Sequence, residues 1–358
     1  MSKTKSHLWP GVPLALGSAV LFGASAPLSK LLIGSIDPWL LAGILYLGAG
    51  AGLAVVHWGR PLIGLPTVEA RLRKSDLPWL AAVTVFGGML GPLLLLFGLS
   101  HTSAASGSLL LNLEGLATMA IAWIIFHENV DKRLMFGAMA ILVGALVLSW
   151  DGQAFRLDYG GLLIVAACLC WGIDNNLTRK LSSADPVQIA MVKGVVAGCV
   201  NVALAMSLGA SLPSFGLVSA GAIVGFLGIG VSLVMFMLGL RHLGAARTGA
   251  YFSLAPFIGA VLALVLFPEG VTFQLVLAGI LMGIGLWLHL AERHDHEHFH
   301  EGLEHDHAHS HNAHHRHSHE NLTSQVHSHW HRHEPMRHKH PHYPDLHHRH
   351  AHKLSKSD

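Results

Sequence analysis

The chain has 358 residues, of which 52% are hydrophobic and only 12% are charged, and its formal net charge is +2. Soluble domains carry about 25% charged residues, so this composition excludes an ordinary soluble domain. This overall composition combines two segments of different character. Residues 294–358 hold 23 of the 29 histidines and almost no aliphatic runs, whereas the charges of residues 1–293 fall mostly between hydrophobic runs. A membrane core followed by a polar tail is therefore expected.

Ten apolar runs follow one another along residues 1–293, each near the length of about 20 residues that a helix needs to cross a bilayer. Glycine and proline inside these runs do not argue against helices, because membrane helices tolerate both. We expect an all-α integral membrane protein with ten transmembrane helices. The predicted spans are 12–33, 38–57, 78–98, 104–126, 134–150, 159–180, 187–208, 217–240, 246–267 and 272–290.

The lysines and arginines between the spans are unevenly divided, which predicts the orientation. With the N-terminus in the cytosol, cytosolic segments hold 13 positive residues and the opposite loops hold Arg156 alone, with Lys30 near a helix end. Positive residues accumulate on the cytosolic side of membrane proteins. We therefore expect a multi-pass protein of the cell (inner) membrane with both termini in the cytosol.

Short motifs recur in the two halves of the chain. Residues 22–30 resemble residues 171–179, and Gly98-Leu99-Ser100-His101 matches Gly239-Leu240-Arg241-His242 at an offset of 141 residues. Spans 1–5 are thus repeated as spans 6–10, and an odd number of spans inverts the second copy in the membrane. Inverted repeats let one site open alternately to either side. The predicted units are 1–150, 151–293 and a disordered cytosolic tail, 294–358.

These features resemble the drug/metabolite transporter superfamily, and within it the EamA-like family. The resemblance covers about residues 12–290 and is carried by a few positions: Leu21-Phe22-Gly23, Lys30, Glu128, Trp171-Gly172, Asn176, Pro256 and Glu269. It implies export or import of small metabolites. The chain departs from the family at Gly115, where members usually have a proline that would match Pro256.

Ionisable residues inside spans are costly and therefore mark functional sites. Asp174 and Lys193 lie at similar depth on adjacent antiparallel spans, so they could form an ion pair that binds substrate, one that only joins two helices, or no pair. Glu114 lies near the midplane, where a carboxyl could exchange a proton or stay protonated and hydrogen-bonded to Asn112 or to another helix. Asn112 and Asn175 supply neutral hydrogen-bonding groups, and Asn175 is the better candidate because it adjoins Asp174.

The tail alternates histidine with other residues, a pattern that suits Zn²⁺, Ni²⁺ or Co²⁺ because flexible imidazoles can surround one ion. Three interpretations stay open: deliberate metal handling, incidental affinity of a low-complexity tail, and a cation that charges near pH ~6.5 beside anionic lipid. The candidate ligands are His294, His296, His298, His300, His305, His307, His309, His311, His314, His315, His317 and His319.

Two functions follow from these patterns. The first is a secondary transporter that moves a small metabolite or drug-like solute by alternating access, with a tail that senses or buffers metal. The second is a divalent-metal transporter whose tail collects or delivers the ion. The chain has no nucleotide-binding glycine loop followed by Lys-Ser/Thr, and nothing suggests an enzyme. We expect no required cofactor and no nucleic-acid partner, and the expected partners are the solute, the lipid bilayer and divalent metal ions. A homodimer is left open.

Overall fold

The computed structural model describes most of the hydrophobic part of the chain and four segments of the tail. The described residues are 10–59, 72–126, 132–150, 158–178, 181, 185–243, 245–268, 270–290, 295–300, 304–309, 327–332 and 336–341. Statements about structure below concern these residues.

Helices occupy nearly all of the described hydrophobic part. Because hydrocarbon offers no water to backbone N–H and C=O groups, the backbone pairs within each helix. The helices are α1 (Gly11–Leu32), α2 (Pro38–Gly59), α3 (Leu77–Val83), α4 (Gly91–His101), α5 (Ala104–Leu110), α6 (Leu113–Phe126), α7 (Lys132–Leu148), α8 (Tyr159–Thr178), α9 (Pro186–Ser207), α10 (Phe215–Gly225), α11 (Ser232–Leu243), α12 (Ala245–Phe252), α13 (Ala255–Leu266) and α14 (Phe273–Leu290).

Eight helical segments within the described residues are long and apolar enough to cross a membrane. They coincide with eight predicted spans. Helices also occupy the other two predicted positions, α7 with 17 residues and α14 with 18, and ten crossings stay a prediction. Large apolar side chains such as Phe136, Ile124 and Val265 are exposed on the outer faces of the bundle, as expected where lipid would surround it.

Two spans contain π-helical turns, and two others are interrupted. The π-helical segment Thr84–Leu90 joins α3 to α4, and the segment Phe226–Val231 joins α10 to α11. Helix α5 ends at Leu110 and α6 begins at Leu113, while α12 ends at Phe252 and α13 begins at Ala255. Each feature therefore recurs about 141 residues later, at the offset of the sequence motifs.

Glycines bring corresponding helices of the two halves into close contact. On α2, Gly43 meets Val202 of α9 and Gly50 meets Val195. A Cβ atom added at Gly43 would lie 2.6 Å from Val202 Cγ2, so only a hydrogen fits there. Because residue numbers rise along α2 as they fall along α9, the two helices are antiparallel.

Helices α7 and α14 repeat this arrangement. Gly144 of α7 meets Met282, and Gly285 of α14 meets Ile141. The numbers again run in opposite directions, so this pair is also antiparallel. α2 and α9 are the second and seventh predicted spans, and α7 and α14 are the fifth and tenth. Corresponding spans of the two halves therefore pack against each other in opposite directions.

The tail differs from the sequence prediction, which expected no regular structure there. Four strands pair as two antiparallel ladders, β1 (Asp295–His300) with β4 (Met336–Pro341) and β2 (Glu304–His309) with β3 (His327–Arg332). The His-x-His alternation has the period of two that a strand requires. The prediction of disorder rested instead on the low hydrophobicity of the tail.

Candidate functional site

An ion pair joins α8 to α9 inside the spans. Lys193 Nζ lies 2.5 Å from Asp174 Oδ2, and both residues are buried, at 8% and 7% exposure. Thr178 Oγ1 donates to the second carboxylate oxygen of Asp174 at 3.3 Å. The pairing that their similar depth predicted is present, while a role in transport stays a prediction. Each charge neutralises the other away from water.

The pair lies against the backbone of the π-helical segment Thr84–Leu90. A Cβ atom at Gly87 would overlap the Asp174 carboxylate. The Gly87 carbonyl accepts two hydrogen bonds, from Tyr46 Oη at 2.6 Å and from Trp171 Nε1 at 3.1 Å. Helices α2, α8 and α9 thus converge on one glycine of a π-helical turn, a geometry that often occurs at functional sites.

Glu114 lies in the first turn of α6, directly after the interruption that follows α5. Its Oε1 accepts a hydrogen bond from Asn175 Nδ2 of α8 at 2.9 Å. The same Asn175 amide nitrogen lies 3.2 Å from Thr118 Oγ1, which donates to the Glu114 carbonyl at 2.9 Å. A carboxylate, an amide and a hydroxyl therefore form one cluster at a break in a membrane span.

Open space adjoins this cluster. Glu114 is half-buried, Gly115 is exposed with no atom within 4 Å of an added Cβ, and Asn175 is exposed. Asn175 lies roughly 120–140° around α8 from Leu162 and Leu169, two exposed leucines that would face lipid. Because the Asn175 amide contacts Glu114 and Thr118 of α6, its exposure indicates open space between α6 and α8.

The other end of α8 is closed. Gly160 packs against the Gly98 carbonyl of α4. Nearby, Lys30 of α1 donates to the carbonyls of Leu99 and Thr102, the second at 2.6 Å. A cation at the C-terminus of α4 satisfies carbonyls that have no helical partner. The bundle is thus closely packed where α8 begins, and the exposed Asn175 lies near the other end of α8.

Of the remaining predicted residues, Asn112 lies inside the spans and the histidines lie in the tail. Asn112 is buried and donates to the Leu109 carbonyl at 2.8 Å, with Met282 Sδ at 3.7 Å. It does not bond to Glu114, so the Asn112 alternative for that carboxyl was wrong, because Asn175 of α8 occupies the position.

Of the predicted tail ligands, six lie on described strands: His296, His298, His300, His305, His307 and His309. The others, His294, His311, His314, His315, His317 and His319, lie outside the described residues. Where the structure describes the chain, no group of three or more histidine, cysteine or acidic side chains is arranged to hold a metal ion.

A cavity of about 220 Å³ lies elsewhere, between the start of α2 and the end of α9, lined by Asp37, Trp39 and Leu208 among others. It contains none of the predicted site residues. The polar cluster inside the spans, and not this peripheral cavity, is the candidate site.

The sequence prediction missed Tyr46, Gly87 and Thr118. A tyrosine inside an apolar span was an available signal, because a buried phenol normally finds an acceptor. Trp171 was identified as part of the Trp171-Gly172 motif, and its indole N–H was not considered as a hydrogen-bond donor to the backbone. Nothing in the sequence marked Thr118 as a site residue, because its contact with Asn175 depends on how α6 and α8 are rotated against each other.

Repeated helical spans, glycine contacts between corresponding helices and a polar cluster at an interrupted span define a multi-pass membrane protein built from two related halves. The sequence pattern of the EamA-like transporter family matches residues 9–150 and again residues 158–291. The chain belongs to the EamA-like transporter family, which confirms the resemblance noted from its motifs.

Relatives support the same class. An uncharacterized transporter of Methanothermobacter thermautotrophicus is 28% identical over 297 residues, which are 79% of this chain and 86% of the relative. A probable amino-acid metabolite efflux pump of Salmonella typhimurium is 25% identical over 179 residues, which are 48% and 54%. A solved crystal structure superposes with a TM-score of 0.58 at 17% identity, covering 78% of this chain and 95% of that chain, and shows the fold alone.

The buried pair yields a prediction about stability. Asp174→Asn or Lys193→Met alone leaves one buried charge unpaired and should lower the free energy of unfolding by about 3–5 kcal/mol. The double variant, with no charge left, should lose less than either single variant. Thermal unfolding of the purified protein, followed by tryptophan fluorescence, measures all three. Additive losses in the double variant would show that the two side chains do not act as a pair.

Proposed function

We propose that this protein is a secondary transporter that moves a small metabolite or drug-like solute across the membrane by alternating access. The observation that carries the proposal is the polar cluster of Glu114, Asn175 and Thr118 at an interrupted span, beside the open space between α6 and α8, here called the cleft. Interrupted helices in corresponding positions of two repeats indicate a substrate site in membrane transporters.

The antiparallel contacts between corresponding helices support an inverted repeat of five spans. A two-fold axis in the membrane plane would exchange α2 with α9 and α7 with α14. Such an axis makes the two ends of the bundle structurally equivalent. The closed contacts at one end could then form at the other, with the cleft opening to the opposite side.

We further propose ten crossings, with both termini in the cytosol and the protein in the inner membrane. The support is the uneven division of lysine and arginine, with 13 positive residues in the segments assigned to the cytosol and Arg156 alone in the opposite loops, with Lys30 near a helix end. In this orientation, the cleft at the C-terminal end of α8 opens to the cytosol, and Lys30 lies at the closed, outer end.

Glu114 is proposed as the residue that couples transport to protons. It is a half-buried carboxyl at the cleft, and it can bind and release a proton there. The charges of Asp174 and Lys193 act on Glu114, and these two residues pair with each other. A proton on Glu114 therefore changes the net charge of the site.

The tail is proposed to sense or buffer Zn²⁺, Ni²⁺ or Co²⁺. The strand register supports this, because it places histidine opposite histidine, with His298 across from His338, His305 from His331 and His307 from His329. Opposed residues on antiparallel strands have Cα atoms about 4.5–5.5 Å apart. Histidine ligands would hold the ion through neutral imidazole nitrogens, so protonation near pH 6 would weaken binding.

A divalent-metal transporter is the second candidate, and a homodimer is compatible with either. No observation favours metal transport, since the described spans bring Asp174 to a lysine and Glu114 to an amide rather than to other metal ligands. An uptake and resistance screen in a host that lacks this chain, with metals and metabolites side by side, identifies the solute and separates the two candidates.

The proton role predicts the behaviour of Glu114→Gln. An amide fills the same space and cannot exchange a proton, so the variant should fold normally and retain a slower transport. Its rate should no longer depend on pH. Flux of the screened solute into proteoliposomes at pH 6, 7 and 8 measures this. Undiminished pH dependence in the folded variant would exclude Glu114 as the coupling residue.

The tail proposal predicts that deletion after Arg293 leaves basal transport intact and abolishes any response to added Zn²⁺ or Ni²⁺. A chain of full length with every tail histidine replaced by serine is the matched control and should behave like the deletion. Direct loss of metal flux on deletion would favour the metal transporter. Loss of all transport in a deletion that still folds would show that the tail belongs to the transport machinery.

A further inference from the structure

Helices α2 and α9 match each other position by position. Each has 22 residues, begins with a proline and follows an aspartate, and the second helix lies 148 residues after the first. Their contacts keep this offset, because a Cβ atom added at Gly50 would meet Val195 and one added at Gly198 would meet Leu47. Exchanging the two helices therefore exchanges their contacts, and the two ends of this antiparallel pair can be compared directly.

At the end of the pair where α9 begins, an imidazole lies beside a carboxylate. Asp185 caps α9, since its Oδ1 accepts a hydrogen bond from the Val187 N–H at 2.9 Å. Its Oδ2 lies 3.7 Å from Nδ1 of His57, which belongs to the last turn of α2. Asp185 is buried. A histidine side chain therefore fills the space between the carboxylate of one helix and the C-terminus of the other.

The opposite end of the pair has the same carboxylate without the histidine. Asp37 caps α2, and its Oδ1 accepts from the N–H groups of Trp39 and Leu40 at 2.9 and 3.2 Å. The residue 148 positions after His57 is Ala205, whose side chain is a methyl group. The cavity of about 220 Å³ lies here and is lined by Asp37 and Ala205. It therefore includes the position that an imidazole fills at the other end.

Three features of this cavity attract a positive charge. Asp37 is exposed and forms no ion pair within the described residues. Helix α9 ends beside the cavity, and a helix C-terminus carries a partial negative charge. The Trp39 ring forms part of the wall, and aromatic faces attract cations. No lysine, arginine or histidine is among the described residues that line the cavity, so the positive charge has to come from a ligand.

The size and surroundings of the cavity indicate the headgroup of a lipid. A volume of about 220 Å³ exceeds the roughly 150 Å³ of a cavity that holds benzene, so an organic group fits where a bare metal ion would leave most of the space empty. Leu208 lines the cavity, and Leu212 and Phe215 follow it in the chain. All three side chains are strongly exposed, as expected where acyl chains would cover them.

We propose that this cavity binds the headgroup of an aminophospholipid of the phosphatidylethanolamine class. Its primary ammonium group would bond to Oδ2 of Asp37, the oxygen that does not cap α2, and lie against the Trp39 ring. Its acyl chains would cover Leu208 and Phe215. The lipid then supplies, at this end of α2 and α9, the donor that His57 brings to Asp185 at the other end. The inference does not depend on which solute the protein moves.

Calorimetric titration of the purified, delipidated full-length protein in detergent tests the proposal. The probes are three short-chain phospholipids with identical acyl chains and with ethanolamine, choline or glycerol headgroups. A primary ammonium donates charge-assisted hydrogen bonds to a carboxylate, a choline group has no N–H to donate, and the glycerol lipid is an anion. We therefore expect the ethanolamine lipid to bind at least about tenfold tighter than the other two.

Variants assign the binding to this cavity. Asp37→Asn keeps a side chain that caps a helix and removes the charge, so the variant should fold and bind the ethanolamine lipid at least about tenfold more weakly. Ala205→His places an imidazole in the cavity, as at the other end, and should weaken binding by displacing the headgroup. Asp158→Asn is the matched control, because Asp158 is an exposed carboxylate that caps α8. It should leave binding unchanged.

The outcomes distinguish the lipid from other ligands. Equal binding of the three lipids, or unchanged binding in Asp37→Asn, would overturn the proposal. Soluble ethanolamine or phosphoethanolamine that binds as tightly as the lipid would show that the cavity takes a soluble amine, and the lipid assignment would be wrong. If Ala205→His does not fold, the comparison of Asp37→Asn with Asp158→Asn decides between these outcomes.

Discussion

The absence of water in the hydrocarbon layer is the constraint from which the rest of the structure follows. A charge placed there costs about 2.5–3.5 kcal/mol on insertion scales, and an unpaired backbone group is also costly. The spans are therefore helical, and their polar side chains are concentrated at a few contacts. The pair of Asp174 and Lys193, the Gly87 carbonyl with its two donors and the cluster around Glu114 lie on adjoining helices. Polar groups that could not be tolerated singly stabilise one another there.

The two halves share their packing but not the charged residues of the candidate site. Gly23 of α1 packs against Ala255 beside the interruption of α12 and α13, and Gly172 of α8 packs against Ala117 beside the interruption of α5 and α6. Yet Asp174 corresponds to Ser25 by the motif register, and Glu114 corresponds to Ala255. Common glycine contacts would let the halves exchange conformations, while each half supplies different charged residues to the site, Glu114 from the first and Asp174 with Lys193 from the second.

Much of the fold could be predicted from the sequence, because a bilayer fixes helix length and the 1.5 Å rise per residue fixes depth. The same rise predicted that Asp174 and Lys193 lie at similar depth and could form a pair. The bond between Glu114 and Asn175 could not be predicted, because it depends on the rotation of α6 against α8. The π-helical turn at Gly87 depends on tertiary contacts from Tyr46 and Trp171. The tail histidines fitted both a disordered segment and a strand, and composition alone does not choose between them.

The proposed function requires that water reach Asn175 and Glu114 from one side of the membrane. In a background with Cys168, Cys170 and Cys199 replaced by alanine, Asn175→Cys and Leu169→Cys place thiols about 120° apart around α8. A membrane-impermeant maleimide added to oriented vesicles should label Asn175→Cys from the cytosolic side alone and should not label Leu169→Cys from either side. Equal failure to label both positions, or labelling of Asn175→Cys only from the outer side, would contradict the account.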